Sequence, residues 1–143
     1  MMPNIKVKLY MDKKDIKSSY DIFIYKAIID LNSAKCLLKA FNNNEIEIDI
    51  EKIYFELQQS AEKYLKAQLS KFAINAPKSH DLEQIIDICR ENHIELNEQV
   101  DLLIELSDYA VEGRYAIIHD DIDESDKYIA LLEEIYANEN NNE

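Results

Sequence analysis

The stretch Ile24-Tyr25-Lys26-Ala27-Ile28-Ile29-Asp30-Leu31-Asn32-Ser33-Ala34-Lys35-Cys36-Leu37-Leu38-Lys39-Ala40-Phe41 decides the fold. Ile24, Ala27, Ile28, Leu31, Ala34, Leu38 and Phe41 recur every three or four residues. That spacing places them on one stripe of a long helix. Ser18 or Ser19 caps its start, with Asp21 in the first turn, and Asn42-Asn43-Asn44 ends it.

Working outward, the same period recurs. Asp49 is placed to cap a second long helix whose stripe is Ile53, Tyr54, Leu57, Ala61, Tyr64, Leu65 and Phe72. Pro77, in the loop Asn75-Ala76-Pro77-Lys78, stops it, since proline removes a donor and restricts its predecessor. Ser79 is the expected cap of a shorter third helix carrying Leu82, Ile85, Ile86 and Cys89. Asn97 is the expected cap of a fourth, carrying Val100, Leu103, Ile104, Ala110 and Val111. A fifth element begins in Asp120-Asp121-Ile122-Asp123 and presents Tyr128, Leu131, Leu132 and Ile135. The expectation is an all-α, antiparallel up-and-down bundle of four major helices and one shorter one.

Composition excludes the alternatives. The 143 residues hold a single glycine, Gly113, and two prolines. All-β folds need glycine in turns with positive φ, and phosphate-cradling loops need several glycines. The absence of any composition break points to one domain over 18–137. Residues 1–17 form a basic, partly ordered arm in which Ile5-Lys6-Val7-Lys8-Leu9 alternates weakly, as a strand does. Residues 138–143, rich in Asn and Glu, have nothing to bury and read as a disordered tail.

A formal charge of −13 opposes binding to bulk nucleic acid or an anionic membrane, so a phosphate contact requires a local basic patch. Cys36 and Cys89 each fall in a helical pattern and read as small buried apolar residues. No metal-ligand spacing occurs, and no cofactor is expected. With no apolar signal core and no apolar run of membrane length, the expected location is the cytoplasm.

Two groups of residues carry potential chemistry. Arg114 interrupts the stripe Ser107, Ala110, Val111 and Ile118, so it is either paired to an acid of a neighbouring helix or turned toward an interface or cleft. His119 follows five residues later, about 140° around a regular helix, so the two do not share a face. A distorted helix end or a two-fold dimer would bring such side chains together. Alone, His119 reads as a surface residue near a helix C-terminus. Together the pair can cleave RNA without metal. Histidine moves the 2′-hydroxyl or leaving-group proton, and arginine holds the phosphoryl oxygens. The second group is the basic patch of Lys63, Lys66, Lys71, Lys78 and His80. It reads either as a phosphate site, with Ser79 at a helix N-terminus beside it, or as a solvated helix face.

Four segments carry a resemblance. Gln58-Gln59-Ser60-Ala61-Glu62-Lys63-Tyr64-Leu65-Lys66-Ala67-Gln68-Leu69 resembles the second helix of HEPN (higher eukaryotes and prokaryotes nucleotide-binding) domains. Ala76-Pro77-Lys78-Ser79-His80-Asp81-Leu82 is similar to their Pro-Lys-Thr-His-Asp-Leu loop, and Ile29-Asp30-Leu31-Asn32-Ser33-Ala34 to their Asp-Leu-x-x-Ala pattern. Tyr109-Ala110-Val111-Glu112-Gly113-Arg114-Tyr115 is similar to their Tyr-x-x-x-x-Arg-Tyr.

The resemblance spans roughly 20–135 and implies a helical bundle. It also implies that Arg114-x4-His119 corresponds to the Arg-x(4–6)-His motif of metal-independent RNases that work as homodimers. In that role Arg114 stabilises phosphate and His119 is the acid/base. Prokaryotic members commonly belong to toxin–antitoxin pairs with a small nucleotidyltransferase, which would be the partner here. Other members are non-catalytic and bind nucleotides or proteins; in that version Lys63, Lys66 and His80 hold phosphates or stabilise the bundle. The sequence departs from the nuclease pattern at Tyr115, where a small polar or charged residue is common. It departs again at Asp121, where the branch modified by its nucleotidyltransferase carries tyrosine.

Overall fold

The computed structural model describes residues 11–110 and 124–141. Among them the chain forms four α-helices: α1 (Ser19–Asn42), α2 (Ile50–Lys71), α3 (Leu82–Glu91) and α4 (Ser125–Asn141). A short 3₁₀ turn, Lys13–Asp15, precedes α1, and a 3₁₀ helix, Val100–Tyr109, lies between α3 and α4. The described residues contain no strand, and the helical-bundle expectation holds. The weak alternation at Ile5–Leu9 lies outside the described residues. No helix among those described is long and apolar enough to cross a membrane.

Helix α2 is the hub, packing on α1, α3, α4 and the 3₁₀ helix. Ile53, Tyr54, Leu57, Ala61, Leu65, Ala67 and Leu69 are all but sealed from solvent. Tyr20 at the start of α1 lies beneath Lys71 at the end of α2, with the ammonium 5.5 Å from the ring centre, so the two helices run antiparallel. Small residues make their close approach possible. Ser60 donates to the Ala27 carbonyl at 2.7 Å and bonds the Tyr136 hydroxyl at 2.6 Å, while that hydroxyl reaches the Ser60 carbonyl at 3.0 Å. Tyr136 is fully buried, so these bonds satisfy a hydroxyl that would otherwise be costly to enclose.

The helix ends show how a chain nearly free of glycine turns. Asn44, Ala73 and His93 follow α1, α2 and α3 with φ of 57°, 58° and 59°. In each case the next amide reaches back to the last turn: Glu45 to Ala40, Ile74 to Leu69, and Ile94 to Cys89. These are Schellman closures with a side-chain-bearing residue in the position glycine normally takes.

Several sequence expectations shift. The N-cap of α1 is Ser18, whose Oγ accepts from the Asp21 amide at 3.1 Å. Asp49 holds the cap position of α2 without a side-chain bond. Asp81, not Ser79, caps α3, accepting from the Glu83 amide at 3.0 Å, while Ser79 Oγ accepts from the Asp81 amide. A carboxylate therefore already occupies that helix N-terminus, which disfavours an anion there. Asn97 is not the helix cap either; it closes a local turn onto the Gln99 amide, and the helix begins at Val100.

The fourth element is 3₁₀ because its buried residues, Val100, Leu103, Leu106 and Tyr109, recur every three residues, the period of that helix. Phe72, expected in the core, lies just past the end of α2 and is 57% exposed. Cys36 is exposed, whereas Cys89 is buried, with its thiol pushed up to about 11 by desolvation. Of residues 138–143, expected to form a disordered tail, 138–141 continue α4, and 142–143 lie outside the described residues. Glu139 accepts from the Tyr20 hydroxyl and from Gln68 Nε2, which gives the last turns the partners their composition alone did not reveal.

Candidate functional site

The candidate site is built where α2, the loop before α3 and the 3₁₀ helix meet. Gln58 and Glu62 are polar residues one helical turn apart on the packed face of α2, with exposures of 0% and 5%. Glu62 Oε1 receives His80 Nδ1 at 2.8 Å and Gln58 Nε2 at 3.2 Å, and its Oε2 receives Lys66 Nζ at 3.2 Å. Burial pushes the Glu62 carboxyl up, but the bonds from His80, Gln58 and Lys66 outweigh it and hold the group below the usual carboxylate range. Glu62 is therefore ionised at neutral pH and accepts only, so His80 Nδ1 carries the hydrogen in this contact. Gln58 Nε2 also reaches the His80 carbonyl at 3.3 Å, and Gln59 Nε2 donates to Gln58 Oε1 at 2.6 Å. Ring and backbone of His80 are thus both fixed to α2, while its side chain remains 61% exposed.

The proposed phosphate ligands do not share one focus. Lys66 and His80 converge on Glu62, whereas Lys63 pairs with Asp30 of α1. Lys71 lies over Tyr20 instead. His80 lines a shallow groove with Asp81 and Glu83 at the start of α3 and Ile104, Glu105, Ser107, Asp108 and Ala110 of the 3₁₀ segment. Ser107 Oγ accepts from the Leu82 amide at 3.0 Å, tying that segment to the head of α3. Among the described residues no cluster of three or more His, Cys, Asp or Glu side chains is arranged to hold a metal ion.

Arg114, Tyr115, His119 and the acidic run Asp120 to Asp123 lie outside the described residues. Their flanks are well anchored. Tyr109 stacks on Tyr54 at 4.9 Å between ring centres, and Tyr128 meets the same ring edge-on at 6.1 Å. Tyr109 and Tyr128, on either side of residues 111–123 in sequence, thus both rest on one buried aromatic of α2. The roles of Gln58, Glu62 and Asp30 were missed by sequence reasoning. The available signal was the i, i+4 pair Gln58 and Glu62, which interrupts the apolar face that Tyr54, Leu57, Ala61 and Leu65 define.

A helical bundle that buries a glutamine–glutamate pair and presents an oriented histidine at the mouth of a groove defines a helical, site-bearing domain. The HEPN domain profile matches residues 20–141, and the chain belongs to the HEPN domain family. No curated protein and no solved structure matches the chain.

Proposed function

We propose that this HEPN domain cleaves single-stranded RNA without a metal ion. In this reading it works as a homodimer, with Arg114 clamping the scissile phosphate and His119 transferring a proton. It would serve as the toxin of a toxin–antitoxin pair whose partner is a small nucleotidyltransferase. The observation that carries the reading is the position of Arg114-x4-His119. It lies inside the residues that match the family and directly follows the segment lining the His80 groove. The pairing of Lys63 with Asp30 and of Lys66 with Glu62 supports it further, because both ammonium groups already have carboxylate partners. Arginine suits the clamp because its planar fork meets two phosphoryl oxygens at once.

The test is cleavage of single-stranded RNA in EDTA, with light scattering on the same sample. The expected result is a dimer that leaves 2′,3′-cyclic phosphate ends. His119→Ala should lose roughly 10²–10⁴-fold, the usual value of a positioned acid/base. Arg114→Lys should recover little activity. An intact substrate with folded wild-type protein rejects the reading.

The second reading is a non-catalytic nucleotide-binding or protein-interaction module. The convergence of Lys66 and His80 at Glu62 favours it, since a phosphate settling beside them would find an ammonium and an imidazole N–H on one face of α2 and its following loop. Saturable binding of a nucleoside triphosphate, lost in Lys66→Ala and accompanied by no RNA cleavage, would establish it.

A further inference from the structure

Helix α1 is buried on one side and open to solvent on the other. Its outer row is Ile22, Tyr25, Ile29, Asn32, Cys36 and Lys39, spaced alternately by three and four residues. That alternation is the a/d seam of a coiled coil, the pattern one helix offers to another. Ile22 and Ile29, two turns apart, are 44% and 43% exposed. Beside them Met11, Tyr25, Ile28 and Ile29 supply the apolar lining of a groove of about 300 Å³. Exposed apolar surface organised along a helix and next to a groove marks a place where another chain docks.

The charge around this row is opposite to that of the rest of the chain. Residues 1–42 hold eight lysines and four aspartates, a net +4, whereas residues 43–143 hold eight basic and 25 acidic residues, a net −17. Lys13, Lys17, Lys26 and Lys39 are exposed and have no carboxylate partner among the described residues. Three of the four aspartates are engaged. Asp12 pairs with Lys14 at 3.5 Å, Asp21 accepts from the Lys17 amide at 3.0 Å, and Asp30 pairs with Lys63. Lys26 stands one turn after Ile22, at a position flanking the seam, where coiled coils place the charges that choose a partner.

We propose that the outer face of α1 docks an acidic amphipathic helix of a partner protein. The partner's apolar stripe lies on Ile22, Tyr25 and Ile29, and its carboxylates meet the lysines. This goes beyond the RNA-cleaving reading and does not rest on it.

The seam and the charge select that occupant. A second copy of the chain, paired about a two-fold axis, would set Lys26 and Lys39 of one α1 against the same lysines of the other. Residues 1–10 carry Lys6 and Lys8 and no acid, so they offer this face no countercharge. A bilayer is anionic but flat, and gives the groove no side chain to hold. Single-stranded RNA calls for stacking aromatics along the row, where isoleucine stands instead. A helix with Glu or Asp beside an apolar stripe answers the seam, the groove and the lysines together.

The experiment titrates the full-length protein into a fluorescein-labelled synthetic peptide of about three heptads, with Leu at a and d and Glu at e and g, and reads anisotropy. A scrambled peptide of the same composition is the control, and light scattering and thermal melting accompany every variant. The expected result is saturable binding that weakens as salt rises. Ile29→Ser should weaken it about 10–100-fold and Lys26→Glu several-fold, with a shallower salt dependence, and both should melt like wild type. Ile46→Ser, at a residue 41% exposed in the loop after α1, should change nothing. Wild-type protein that does not bind overturns the proposal, as does equal binding of the scrambled peptide or by Ile29→Ser. A scattering mass that falls in Ile29→Ser makes a second copy the occupant. Binding seen only after Val7→Ser and Leu9→Ser makes the chain's own first residues the occupant. Displacement of the peptide by phosphatidylglycerol vesicles or by an oligoribonucleotide assigns the face to a membrane or to RNA. Each of these three outcomes also overturns the proposal, and all of them leave the RNA-cleaving reading standing.

Discussion

Replacing Glu62 by glutamine tests the centre of the site without changing its shape. In the folded protein Glu62 is 5% exposed and accepts from His80, Gln58 and Lys66. Glutamine keeps one carbonyl oxygen for His80 and Gln58 but turns an NH₂ toward the Lys66 ammonium, donor against donor. Breaking a buried charge pair outright costs about 3–5 kcal/mol. Lys66 is 17% exposed at its side chain and His80 61%, so both regain water and the cost falls. We expect about 2 kcal/mol, or a fall in Tm of roughly 6–8 °C for a domain of this size.

The pH dependence follows from the direction of the carboxyl shift. The folded-state pKa of Glu62 is depressed, so its contribution is complete above the unfolded value of about 4.3 and is lost as pH falls through the lower folded value. Wild type and Glu62→Gln should therefore differ most at neutral pH and converge in acid. Differential scanning calorimetry at a series of pH values reads both effects. An unchanged Tm at neutral pH, or a gap that widens in acid, would refute the reasoning.

Two further outcomes follow from the packing. Tyr136→Phe removes a fully buried hydroxyl that bonds Ser60 and should cost about 1–2 kcal/mol in urea unfolding, with Ser60 keeping its bond to the Ala27 carbonyl; no change in midpoint would contradict the network. Ala73→Gly relieves a left-handed residue at φ 58° and should stabilise by about 0.5–1 kcal/mol, where glycine inside a helix would do the reverse.

Periodicity made the bundle legible. The stripe from Ile24 through Ala34 and the stripe of α2 are buried as their spacing demands. The 3₁₀ character of Val100–Tyr109 was legible too, in the strict three-residue recurrence of Val100, Leu103, Leu106 and Tyr109, but a mixed three- and four-residue reading concealed it. Helix starts were less legible, because several polar residues in a row can cap and the tertiary setting selects among them. Ser79 and Asp81 both bond forward, and only Asp81 does so at the first turn of α3.

At the site, sequence named the hydrogen-bond donors and overlooked the carboxylates that hold them. Lys63, Lys66 and His80 stood out against a charge of −13, whereas Asp30 and Glu62 were two acids among 29. Only the fold shows that Glu62 is enclosed and that the Lys66 ammonium and the His80 ring N–H both point at it. The extension of α4 to Asn141 was likewise illegible, since Glu139 gains its partners from Tyr20 and Gln68, distant in sequence.

The most direct test of the account is the fate of one oligonucleotide made in two forms, all-ribose and all-2′-deoxyribose, incubated with the wild-type protein in EDTA and read by mass spectrometry. The account predicts that the ribose strand is cut to fragments ending in 2′,3′-cyclic phosphate and that the deoxyribose strand stays whole, because the attacking oxygen is the 2′-hydroxyl. An uncut ribose strand, or equal cutting of both, would contradict it.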